Sequence, residues 1–402
     1  MASIAPFRAL RPTPEHAAAV AAVPYDVVTT EEARQLAAGN PLSFLHVSRP
    51  ELGLPPDTNP YADVVYETAK ENFQALIEKA PLVYEAEPSL YLYRLQMGAH
   101  VQTGIAGCYS VDEYDRGVIL KHEKTRKDKE DDRTRHIVDL RAQTGPVFLT
   151  YPAVAAIDAV ASRVSSGGPL FDLTAADGVR HTIWRVPGQD ASELTRRFAE
   201  VPRLYIADGH HRAASASRAR QALTTGAAAE CDWFLAVAFP HDQMQVLPYN
   251  RTVKDLDNRQ PGELLEVLGR RHGLAPGPAA PARPGQVSMY LSRHWYTFNL
   301  KPASNPSPSA RLDVSRLHEQ VLAPLLGVGD ARVDKRIDFV GGARGTGALE
   351  QAVQSGAAAV AFSMYPVSVA DLIAISDAGE IMPPKSTWFE PKLRDGLLIH
   401  TI

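Results

Sequence analysis

A chain of 402 residues, 45% hydrophobic and 22% charged, is long enough for two or three globular domains with sizeable cores. Its formal net charge of -4 provides no global basic field, which argues against nucleic acid or an anionic membrane as a partner. Two cysteines without a CxxC spacing exclude a disulfide framework or thiolate zinc site, and the lack of a signal-peptide pattern or an apolar run of about 18 residues makes the cytoplasm the expected compartment.

In chain order, Thr30 with Glu31 and Glu32 reads as a helix start, the hydroxyl capping free amides and the acids favouring the positive end of the dipole. Residues 61–80 carry Val64, Val65, Ala69, Phe73, Leu76 and Ile77 at helical spacing. Residues 89–97 and 102–109 alternate about a Gly98-Ala99 turn and predict an antiparallel hairpin. Residues 121–136 are charged throughout except for two threonines and two histidines, which predicts a solvated helix with no core-facing side. Residues 146–151 and 181–186 then read as strands and residues 191–199 as a helix. A short strand at 203–206 runs through Asp208-Gly209 into an alanine-rich helix at 213–223, and residues 232–239 form an apolar strand. After a helix at 261–272, the proline- and glycine-rich stretch 274–286 reads as a linker. Beyond it come a hairpin at 287–300, helices at 314–322, 348–355 and 369–378, and strands at 337–340, 357–364 and 397–402.

Chemistry concentrates in two places. A strand that ends in Asp208-Gly209 just before a helix presents free backbone amides where about half a positive charge accumulates. His210, His211 and Arg212 fall in that first turn, where positive groups oppose the dipole, and a bound anion such as phosphate offsets the cost. The second place is His122-Glu123, which follows the apolar Val118-Ile119-Leu120 and so leaves a strand end. Acids and bases mixed along 121–136 suit a magnesium–polyphosphate site, carboxylates holding the metal and cations neutralising oxygens. Weaker pocket candidates are Tyr25 and Asp26, the loop 248–251, and Lys385, Ser386 and Thr387. No GxxxxGK[ST] loop, GxSxG elbow or HExxH pair occurs, and the glycine-rich run 341–347 lacks a phosphate-binding lysine.

Asp208-Gly209-His210-His211-Arg212 resembles the phosphate-binding turn of the ParB/sulfiredoxin-like superfamily, particularly its free-serine kinases, and His122-Glu123 resembles their upstream motif with its catalytic glutamate. Nearly the whole chain resembles a bacterial family known as domain of unknown function 1015. The motifs that carry this are Val23-Pro24-Tyr25-Asp26, His122-Glu123-Lys124-Thr125, residues 129–133, residues 206–212 and residues 383–389.

The resemblance implies an α/β protein with a mixed sheet, a ParB/sulfiredoxin-like core and large additional N- and C-terminal α/β parts. The expected division is an N-terminal region at 1–100, a catalytic core at 101–273, a linker at 274–286 and a C-terminal domain at 287–402. The expected activity is phosphoryl transfer from ATP, ADP or pyrophosphate, with Mg2+, to a small hydroxyl substrate such as free L-serine. Glu123 would be the base, with His122 beside it, and Asp208 would bind magnesium, together with Glu130, or the substrate amine. Gly209, His210, His211 and Arg212 would hold the donor, with Lys121, Arg126, Arg133 and Arg135 as charge neutralisers. A nucleotide-binding switch without turnover, and a metal-dependent hydrolase with His122, His210 and His211 as ligands, are the competing readings. A homodimer is left open.

Overall fold

The alternation about Gly98 folds as the pattern predicts: strands Tyr91–Met97 and His100–Ser110 pair antiparallel, Met97 facing His100. The hairpin lies within a nine-stranded sheet in the computed structural model, which describes residues 2–79, 82–223, 230–303 and 307–402. The chain divides into two units, the first taking residues 1–244 and 391–402 and the second residues 245–390.

The strands of this sheet are β1 (Ile4–Ala5), β2 (Tyr91–Met97), β3 (His100–Ser110), β4 (Ile119–Leu120), β5 (Val147–Tyr151), β6 (Phe171–Thr174), β7 (Arg180–Arg185), β8 (Leu204–Asp208) and β9 (Trp233–Pro240). Their order in the sheet is β4-β8-β5-β9-β3-β2-β7-β6, with β1 beside β3. The β4/β8 and β5/β9 pairs are parallel and the others antiparallel, so the fold is mixed α/β as expected. Apolar residues of β5, β8 and β9 (Leu149, Ile206, Ala236) pack with Ile157, Leu194 and Phe198 from helices Ala155–Ser165 and Gly188–Phe198. A second cluster joins Ala69, Phe73 and Leu76 of helix Asp63–Lys79 to Phe44, Leu140 and Ile399.

Two local expectations change. The first long helix is capped by Thr29 rather than Thr30: its hydroxyl accepts from the Glu32 amide, and Glu32 reaches back to the Thr29 amide in a reciprocal box. The charged run does not end solvated. It forms helix Lys127–Leu140, which buries Asp132, His136, Ile137 and Leu140. Its polar groups go inside paired: Asp132 accepts from Tyr66 at 2.8 Å and from Arg133 at 2.8 Å, and the His136 ring contacts the Val47 carbonyl at 3.0 Å.

The segment 391–402 returns to the first unit and is buried over 391–400. Asp395 and Ala22 exchange backbone hydrogen bonds, as do Ile399 and Leu10, and the Gly396 amide donates to Thr144. His400–Thr401 then pairs antiparallel with Ala142–Gln143.

The second unit holds a six-stranded sheet in which every pairing is antiparallel. The stretch expected to be a linker lies inside this unit: Ala275–Pro276 pairs with strand His294–Asn299, and the Gly277 amide donates to Trp295. Proline is tolerated there because the pairing is at the sheet edge, where a missing N–H costs no ladder bond. The boundaries expected at 100, 273 and 286 therefore give way to one break at 244 and a return at 391. No helix among the described residues is long and apolar enough to cross a membrane.

Candidate active site at two parallel strand ends

At the sheet edge β4 and β8 run parallel, Ile119 opposite Leu204 and Leu120 opposite Tyr205. Their carboxyl ends therefore emerge together, the usual position for a ligand site in α/β sheets. Lys121, His122 and Glu123 follow β4; Asp208 closes β8, and after Gly209 the helix His210–Leu223 begins. Gly209 takes a φ of +86°, a left-handed conformation that a side chain would strain. A Cβ there would also lie 3.3 Å from the Arg212 guanidinium carbon.

His122 and His210 are buried, and their rings meet edge to face with centroids 4.4 Å apart. Burial pushes the His122 imidazole down to about 4, against a hydrogen bond to the Ile206 backbone that favours its charged form. Burial, then the neighbouring His122, hold His210 well below the usual histidine range. Both rings are thus neutral at pH 7. The 3.8 Å approach of Glu123 Oε2 to His210 Nδ1 is a contact with a neutral ring rather than an ion pair. His122 Nδ1 and His210 Nε2 are buried without a hydrogen-bond partner.

Arg212 lies buried beneath the turn. It donates to the Pro146 carbonyl at 2.5 Å and stands 3.5 Å from Asp26 Oδ1 and 3.6 Å from Asp208 Oδ2. Burial alone would weaken its charge, but Asp26 and Asp208 more than reverse that and hold its proton firmly. Two residues that sequence reasoning missed complete this cluster. Lys392, also buried, brings its ammonium 3.5 Å from the same Asp208 Oδ2. Asp395 lines a cavity of about 40 Å³ with Tyr25, Arg133, Gly145 and Arg212. Burial pushes the Asp395 carboxyl up to about 7 although Arg212 pulls it down, and its Oδ1 has no partner. Gly145 packs closely beside it, where an added Cβ would fall 2.5 Å from that oxygen and force the carboxyl to shift. The available signal was the pattern of 391–398 itself, where Lys392, Arg394 and Asp395 are set among Leu393, Leu397 and Leu398.

The other candidates divide. Asp26 joins the cluster through Arg212, and Tyr25 lies under the Arg133 guanidinium, 4.4 Å from ring centroid to carbon. His211 Nε2 accepts from the Arg126 backbone amide at 3.0 Å, which ties the two loops together. The Arg126 side chain is paired with Asp128 at 2.7 Å, and the Lys121 ammonium sits 4.4 Å over the Tyr114 ring. Arg133 is held by Asp132 and lines the Asp395 cavity, and Arg135 is held by Asp63, Asp139 and the Tyr66 ring. Glu130 accepts from Thr125 and pairs with Arg218, in the helix that His210 opens, at 3.3 Å. Among the described residues no group of three or more His, Cys, Asp or Glu is placed to hold a metal ion. Lys385, Ser386 and Thr387 belong to the second unit. There the Lys385 carbonyl accepts from Arg251 at 3.2 Å and the Ser386 hydroxyl donates to Pro383 at 2.6 Å.

No curated protein matches the chain. Among solved structures it is similar to a free serine kinase in complex with AMP, at 12% identity and a TM-score of 0.36, over 72% of this chain and 91% of that one. It is similar to a conserved hypothetical protein from Pyrococcus furiosus at 12% identity and a TM-score of 0.34, over 73% of this chain and 94% of that one. A C-terminally truncated SbnI from Staphylococcus aureus has 13% identity and a TM-score of 0.33, with 72% and 85% covered. The sequence model described as protein of unknown function, DUF1015, matches residues 4–315, most of the chain, and the protein belongs to that family.

Proposed function

We propose that the protein transfers a phosphoryl group from a nucleotide or polyphosphate donor to a small hydroxyl substrate of the free-serine type. The observation that carries this reading is the meeting of two strand-end loops, which sets the Glu123 carboxylate 3.8 Å from the ring that opens helix His210–Leu223. Donor phosphates would lie on the amides of Gly209 and His210, where the helix dipole favours anions, with Arg212 fixed behind them. Neutral His210 and His122 can donate or accept a hydrogen bond without adding charge. Glu123 would take the substrate hydroxyl proton as the oxygen attacks the terminal phosphorus, and the donor's bridging oxygen would leave with the remaining phosphate.

Asp208 fits a magnesium ion of the kind that takes one or two carboxylates and otherwise substrate phosphates and water, and the ion would neutralise donor charge. Binding and orienting the two substrates would remain the work of the chain. Incubating the purified protein with ATP, ADP or pyrophosphate plus each amino acid, and following phosphorylated products by mass spectrometry, tests the reading. A product that requires both donor and acceptor supports it. Absence of any product, with no donor bound in calorimetry, removes it.

A further inference from the structure

We propose that Lys392 is a donor-phosphate ligand of this site, brought to it by the returning segment 391–402; the inference rests on the phosphoryl-transfer reading above. A lysine this buried is uncommon, because the strongly hydrated ammonium loses its water shell. The segment that carries it could have been anchored without charge. Its backbone already bonds to Ala22, Leu10 and Thr144, and Leu393, Leu397 and Leu398 are buried beside it. The second cation of the segment, Arg394, has its own acid in Asp177.

Lys392 points elsewhere. Its Nζ lies 3.5 Å from Asp208 Oδ2, the oxygen that Arg212 approaches to 3.6 Å. Two cations therefore bracket one carboxylate oxygen at the end of β8, one residue before the glycine turn. Arg212 is spread further, over Asp26 and the Pro146 carbonyl, and fixes the floor of the turn. Lys has three donors on a compact head and a flexible stem, so it can hold Asp208 and a phosphate oxygen together, as a point charge does. Asp208 is the more exposed partner, 30% against 9% for the Lys392 side chain, so the pair meets solvent through Asp208.

Calorimetry of the full-length protein with pyrophosphate tests this. Lys392→Met should lower affinity at least tenfold while Lys392→Arg stays within about threefold of wild type, both melting as folded proteins. A purely structural lysine would lower the melting temperature of Lys392→Met and leave its affinity unchanged, which overturns the inference. Should Lys392→Met not fold, reductive methylation of the wild-type protein decides. Pyrophosphate should slow modification of Lys392 at least fivefold, and equal rates with and without it overturn the inference. Wild-type protein that binds neither pyrophosphate, ADP nor ATP overturns the proposed function itself, and the role of Lys392 with it.

Discussion

His122 and His210 come from different strand-end loops and touch ring edge to ring face at 4.4 Å. The contact locks the two motifs to each other through groups that stay uncharged, because burial outweighs every neighbouring acid at both rings. Protonating either ring would place a cation against its partner in a buried space, where charge is poorly screened.

That coupling has a pH signature. A histidine whose folded pKa, about 4 at His122, lies below the unfolded value of about 6.5 takes up its proton more readily in the unfolded chain. Its contribution is intact above about pH 6.5 and is lost as pH falls toward 4. The stability advantage of wild type over His122→Asn should be constant from pH 8 to 6.5 and shrink below that, by at most about 1.4 kcal/mol per pH unit. Urea unfolding across the range checks it, and an advantage that grows on acidification would refute it.

Asp395 carries the opposite sign. Its folded pKa of about 7 lies above the ordinary value of 3.8, so the native state favours the neutral acid. The stability it contributes is full below about pH 3.8 and is lost as pH rises through 7. Asp395→Asn should therefore melt higher than wild type at pH 8 and alike at pH 4. Equal melting temperatures at both values would show that the buried carboxyl finds compensation in the cavity.

At Gly209 the backbone conformation and the nearby guanidinium act together. Gly209→Ala forces a left-handed residue, at about 1–2 kcal/mol, and presses a methyl on Arg212. Both lowered stability in denaturant and weaker pyrophosphate binding are expected. Retained affinity in the destabilised variant would separate the turn from the phosphate.

Glu123→Gln should reduce turnover by roughly 10²–10⁴-fold with donor affinity nearly unchanged, since glutamine keeps the shape but cannot accept a proton. Glu130→Gln is the control, because that carboxylate is occupied by Thr125 and Arg218. It should keep turnover and lose some thermal stability. If Glu123→Gln instead loses donor binding, the carboxylate serves the donor or its metal ion.

The part of the site that lies within single loops was legible in the sequence. A glycine between strand and helix, and a His-Glu pair after three apolar residues, are local patterns with local causes. What joins them is the parallel pairing of β4 with β8, between residues 85 apart at Ile119 and Leu204, which no local pattern encodes. Lys392 and Asp395 were missed for the same reason. The charged run 121–136 shows no apolar side because that side begins at Ile137 and Leu140, just beyond it, and because Asp132 and His136 are buried through partners contributed by Tyr66 and Val47. Proline density at 274–286 suggested a linker, yet an edge strand accepts Pro276 without loss.

The backbone pairing of Leu10 with Ile399 and of Ala22 with Asp395 has a consequence for how the protein is made. On the ribosome, sheet strands β1 to β9 are all synthesised before residues 391–402, so a nascent first unit waits through the whole of the second with its seam open. Closing contacts at such sequence separation comes late and slowly, after the entropy of a very long loop has been spent. During that interval Asp208 lacks its Lys392 contact, which forms last, and a chain whose synthesis stops before residue 391 is left without it.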